Sequence, residues 1–142
     1  MFKSVRKEAE LECAKRKYDV MAKGYQYYTK VRDRFREAKG EEDYTAILDE
    51  LGEMEKLAYS RMAFLNTAEH VWGYFKKAAI QDEKQQFFEL LENCSSLPDE
   101  FLLSRSESAK LLSYIKQTLL FSYPNPYLGQ SSLLKKVPGT AL

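Results

Sequence analysis

The chain has 142 residues, 44% hydrophobic and 30% charged, with 6 Gly and 4 Pro. That composition suits one helix-rich globular domain and argues against a β-sandwich or a disordered tail. The formal net charge is only +1. No run approaches the ~18 apolar residues of a membrane span. The charged start MFKSVRKEAELECAKRK holds no signal-peptide core, so a cytoplasmic location without membrane contact is expected.

Apolar residues recur every three or four positions along most of the chain. The first helix is expected from Ser4 to about Lys23, with Val5, Ala9, Ala14, Tyr18, Met21 and Ala22 on its stripe and Gly24 interrupting it. The second runs from Tyr25 to Ala38 and stops at Lys39-Gly40. The third, EEDYTAILDELGEMEKLAYS, opens with carboxylates that favour a helix N-terminus and turns Ile47, Leu51 and Met54 inward, with Gly52 weakening its middle. A fourth is expected to be capped by Asn66 or Thr67, to reach about Ala79, and to be the most buried element. A fifth spans about Asp82 to Cys94, and a helix or helix pair follows Pro98. The last twenty residues hold three of the four prolines and read as an extended arm, about 123–142, laid over the helices. The expected fold is therefore an all-α, single-domain bundle of about six helices with a C-terminal arm.

Two cysteines, Cys13 and Cys94, are too few for a four-ligand zinc or iron-sulfur site, and no cofactor or metal is expected. P-loop, dinucleotide and serine-hydrolase motifs are absent from the sequence.

The only histidine and the only tryptophan share the stretch NTAEHVWGYFKK. On a continuous helix Asn66, His70, Tyr74 and Lys77 form one polar ridge, while Trp72 and Phe75 belong to the core. Gly73, beside His70, raises the expectation that another backbone or a ligand comes close there. His70 itself reads first as a neutral core histidine, second as a contact in an RNA or small-ligand groove, and third as a general acid or base.

Charge is uneven along the chain. Residues 1–39 hold 12 Lys and Arg against 6 Asp and Glu, whereas residues 40–58 hold 1 against 7. If the first two helices and the C-terminal arm lie side by side, Lys15, Arg16, Lys17, Lys23, Lys30, Arg32, Arg34, Lys135 and Lys136 with Tyr25, Tyr27 and Tyr28 make a basic, aromatic surface. Such a mixture neutralises phosphates and stacks unpaired bases. The competing reading is that these are merely the solvated faces of amphipathic helices. In the arm, Tyr127 and Gln130 either read a base edge or fasten the arm to the core, and fastening is favoured.

The runs KRKYDVMA (Lys15 to Ala22), NTAEHVWGYFKK followed by Glu83-Lys84, and PYLGQSSLL (Pro126 to Leu134) resemble the YbgA-like bacterial domain of unknown function in order and spacing. Longer members carry a histidine-rich run where this chain reads ECAKRK. The resemblance implies a helical domain, here a short stand-alone form. In that family the domain stands alone or is fused behind a cysteine-ligated iron-sulfur desulfurase domain acting on thiolated uracil or tRNA thiouridine, and the resemblance implies that the helical domain helps engage the RNA. The expected function is thus a non-catalytic accessory domain that binds tRNA or other RNA beside a separate desulfurase or tRNA-modifying protein. A protein-interaction or homodimerisation module, or an enzyme centred on His70, are the alternatives.

Overall fold

In the computed structural model, which describes residues 4–137, the Ser4 hydroxyl accepts the backbone N–H of Lys7 at 3.1 Å and starts α1, Val5–Lys23. That satisfies one of the donors a helix start leaves orphaned. α1 ends at the buried Gly24, where a β-carbon would meet the Gln26 side chain at 2.6 Å. α2 (Tyr25–Glu37) and α3 (Glu41–Met54) follow and pack with α1 around Ala9, Val20, Val31, Ile47, Leu51 and Met54.

The chain then departs from the expected long third helix. Residues after Met54 turn, and Tyr59–Ser60 forms β1, which pairs antiparallel with β2 (Glu100–Phe101), Tyr59 opposite Phe101. Arg61 locks this short ribbon: its backbone N–H reaches the Asp99 carbonyl at 2.9 Å, and its guanidinium reaches the Leu97 carbonyl and the Asp99 carboxylate, both at 2.8 Å.

α4 spans Arg61–Trp72 and is capped by Ser60, whose hydroxyl accepts from Ala63 N–H at 3.3 Å. It therefore begins well before Asn66 and ends at Trp72, not Ala79. Gly73 closes it in an ordinary right-handed conformation, and residues 73–78 follow as consecutive turns. The element is less buried than expected, since Asn66, Glu69, His70 and Tyr74 all face solvent.

α5 (Gln81–Asn93) begins where the Glu83 carboxylate accepts Ile80 N–H at 3.0 Å. A turn of 3-10 helix, Cys94–Ser96, ends it. The long helix after Pro98 is α6 (Ser106–Tyr114), continued through a π-helical turn at Ile115–Leu119 into α7 (Leu120–Ser122). Glu83 ties this run down, accepting the Tyr123 hydroxyl at 2.6 Å on its side chain and the Tyr114 hydroxyl at 3.2 Å on its carbonyl.

The arm is not extended throughout. Asn125, with Pro126 behind it at the first helical position, caps the single turn α8 (Pro126–Gly129), and α9 (Ser132–Lys135) lies against α1. Leu128, Leu133 and Leu134 are buried, so the arm seals the larger core. Residues 138–142 of the expected arm lie outside the described residues.

That larger core holds Phe64, Val71, Phe75, Phe87, Leu111, Leu112, Ile115 and Leu119. Trp72 stacks on Phe87 with ring centroids 4.8 Å apart and planes 20° from parallel. α1 spans both apolar clusters, giving Val20 to one and Tyr18, Met21 and Ala22 to the other. The chain is an all-α bundle. Among the described residues no helix is long and apolar enough to cross a membrane.

Candidate functional site

The early end of α4 splits the ridge expected along it. Asn66 and His70 remain on one face and line a cleft of about 390 Å³ with Ala63, Thr67 and Glu69 of α4, Met21 of α1 and Tyr25 of α2. His70 is exposed, which overturns the core-histidine expectation: α4 turns its Phe64, Thr67, Ala68, Val71 side inward and leaves His70 on the far side. Glu69, although adjacent in sequence, opens onto the same cleft.

Tyr74 goes elsewhere. Its hydroxyl is 2.8 Å from that of Tyr18, and its ring lies 6.4 Å from both Tyr18 and Tyr127. Burial pushes the Tyr18 phenol up, and the hydrogen bond with Tyr74 adds to the effect. Tyr127 also meets Tyr18 edge-on at 6.2 Å, so this residue fastens α8 to α1. Gln130 and Lys77 are exposed. Chain neighbours aside, nothing among the described residues but the His70 carbonyl, at 3.0 Å, lies near a β-carbon placed on Gly73, so this glycine marks the helix end and not a close approach.

The expected basic surface is narrower than the sequence count suggests, because acidic α3 packs against basic α1 and α2. Lys30 meets Glu50 at 2.9 Å, and Arg34 meets it at 3.4 Å. Arg16 is held by Glu12 at 3.0 Å and Glu55 at 3.6 Å, and Lys15 lies 3.8 Å from Glu12. Lys23 is not on the surface at all. It is 4% exposed, 3.1 Å from Asp19, and donates to the Met54 carbonyl at 2.8 Å.

What remains is a compact set. Lys17 has no carboxylate within 4 Å among the described residues, and its ammonium lies 5.9 Å from the centre of the Tyr28 ring. The Arg32 guanidinium approaches the same ring, also at 5.9 Å, while its Nε is 3.6 Å from Asp33. Tyr25, 56% exposed, lies 5.4 Å from Tyr28 by ring centroids. Tyr25 thus joins the two groups that the sequence suggested separately, the Asn66 and His70 face and the Lys17, Tyr28 and Arg32 face.

A second polar cluster was not foreseen. Asp19, 1% exposed, accepts the Tyr59 hydroxyl and is 2.9 Å from the ammonium of Lys136, which also reaches Glu55 at 2.9 Å and Tyr59 Oη at 3.2 Å. Burial would lower the Lys136 pKa, but its hydrogen bonds to Asp19 and Glu55 prevail and raise it. The sequence signal was available: Asp19 and Lys23 stand four apart within YDVMAK, surrounded by apolar residues. Cys13 and Cys94 belong to different apolar clusters, and burial pushes both thiols up to about 12. They do not meet.

Fold and site together define an all-α domain with a polar cleft beside a tyrosine flanked by two cations. The chain belongs to the family described as protein of unknown function, DUF1722, whose pattern matches residues 17–138, in agreement with the YbgA-like likeness of its motifs. No curated protein and no solved structure matches the chain.

Proposed function

We propose that this chain is a non-catalytic, cytoplasmic accessory domain that binds an unpaired stretch of RNA, tRNA being the favoured source. The observation that carries the reading is the position of Tyr25, exposed at the edge of the Asn66–His70 cleft and in ring contact with Tyr28. One base stacks on Tyr25 and presents its edge to the amide of Asn66 and the imidazole of His70, groups able to hydrogen-bond it. The adjoining phosphates run past Lys17 and Arg32. Exposed rings beside cations are tolerant of sequence, which suits an accessory role in which a partner selects the nucleotide. The partner class, a desulfurase or tRNA-modifying protein, comes from the family resemblance.

Fluorescence anisotropy with a labelled single-stranded RNA and with bulk tRNA tests the reading. Affinity should fall steeply with salt, and the Lys17→Ala/Arg32→Ala pair should shallow the salt slope by about 0.7 for each phosphate that is no longer neutralised. Tyr25→Ala should weaken binding roughly tenfold while the circular dichroism spectrum stays unchanged. Absence of salt-sensitive binding at micromolar protein overturns the proposal.

A further inference from the structure

Behind Tyr28 lies a second recess, of about 260 Å³, set between α1, α2 and α3. Val20, Val31 and Leu51 are buried in its depth, Phe35 is half-buried beside them, and Lys17, Tyr28 and Arg32 stand half-exposed at its rim. Its size falls just under the ~300 Å³ at which drug-sized pockets begin, so it fits a small occupant. Its lining offers almost nothing for a polar body to hydrogen-bond. A nucleobase pushed into it would leave its edges unpaired, at a large desolvation cost.

The rim has the opposite character. Lys17 has no carboxylate partner among the described residues, and Arg32 Nε is buried without a hydrogen-bond acceptor. Asp33, 3.6 Å from that nitrogen, offsets part of the Arg32 charge, so the excess at the rim amounts to about one cation. The Cys13 thiol in the lining is held neutral by burial and adds no negative charge. An apolar hollow under a single net positive charge is complementary to a monoanion on an apolar chain.

We propose that this recess binds a free medium-chain carboxylate, with its alkyl chain against Val20, Val31, Phe35 and Leu51 and its carboxylate between Lys17 and Arg32. The inference stands apart from the RNA reading but shares its two cations, so bound carboxylate and RNA compete.

The test is a titration of the full chain with the fluorescent sulfonate 1-anilinonaphthalene-8-sulfonate, followed by displacement. Decanoate should displace the dye, and affinity should rise about fourfold per methylene along the shorter carboxylates until the recess is full. Decanol, which lacks the charge, and acetate, which lacks the chain, should fail. Lys17→Glu/Arg32→Glu should weaken decanoate at least about tenfold. Ala14→Phe places a ring in the recess from its exposed edge and should abolish dye and decanoate binding with the helical spectrum intact. Equal displacement by decanol, or undiminished binding by folded Ala14→Phe protein, overturns the proposal. Ala14 takes no part in the RNA path, so this variant should keep its RNA affinity, which separates failure here from failure of the RNA reading.

Discussion

Asp19 has almost no contact with water and is satisfied by three donors from three parts of the chain: Lys23 of α1, Tyr59 of β1 and Lys136 just past α9. A carboxylate so placed pairs with the buried Lys23, which has no other carboxylate partner among the described residues, and shares the half-buried Lys136 with Glu55. Asp19→Ala should therefore cost about 3–5 kcal/mol in urea unfolding, the usual penalty for breaking a buried pair from one side. A cost under about 1 kcal/mol would falsify the view that this cluster anchors the arm. Among the described residues no comparable cluster surrounds His70, the residue that draws attention first in the sequence. Being the only histidine says nothing about burial, and residues 61–72 show why: the apolar members Phe64, Ala68 and Val71 lie on the side of α4 away from it. Lys23 misleads in the reverse direction. Lysines are seldom buried, so it reads as surface, and only the partner four residues earlier betrays the pair.

At the scale of elements, α1, α2 and α5 are legible almost to the residue because apolar residues recur along each at helical spacing, and Ser4 and Glu83 cap the starts of α1 and α5. The boundary between the third and fourth helices is not. Tyr59–Ser60 and Glu100–Phe101 pair over two residues each, too short to leave a period-two pattern, and the pairing partner is some forty positions away. Asn66 and Thr67 are good caps by type, yet Ser60 does the capping, because the chain leaves the ribbon there. The cleft depended on this boundary, since the helix start decides which residues face Tyr25. Gly52 offers a clean check on helix α3. Its surroundings are open: apart from its chain neighbours and its own helix backbone, no atom of the described residues lies within 4 Å of an added β-carbon, and its site is exposed. Gly52→Ala should stabilise the protein by about 0.5–1 kcal/mol, through helix propensity and a less free unfolded chain, as measured by the urea midpoint. No gain would mean that α3 is already frayed beyond Leu51 in solution.

For the whole molecule, the charge segments visible in the sequence are folded onto one another, acidic α3 against basic α1 and α2, so ion pairs take up cations that a linear count assigns to a ligand. Five of its buried or half-buried groups nevertheless share one direction of shift. Burial raises Cys13, Cys94, Tyr18 and Tyr59, the negative charge of Asp19 adding to the last, and hydrogen bonds raise Lys136 against the opposing effect of burial. Each group therefore holds its proton more tightly in the folded state than in the unfolded chain. The folded state is favoured fully below the unfolded values and loses that advantage as pH climbs past them, first past 9.0 for the thiols and then past 10.0 for the phenols and 10.5 for Lys136. The slope cannot exceed about 1.4 kcal/mol per pH unit for each group titrating in the unfolded chain. Urea midpoints taken from about pH 8 to about pH 11 should be flat at the start and then fall. Cys13→Ala/Cys94→Ala should delay the onset by removing the groups that titrate first, whereas Lys136→Met should reduce only the last part of the decline. If the midpoints stay level to the top of that range, the thiols and phenols are not held protonated by the fold, and the two apolar clusters are more open to water than their packing implies.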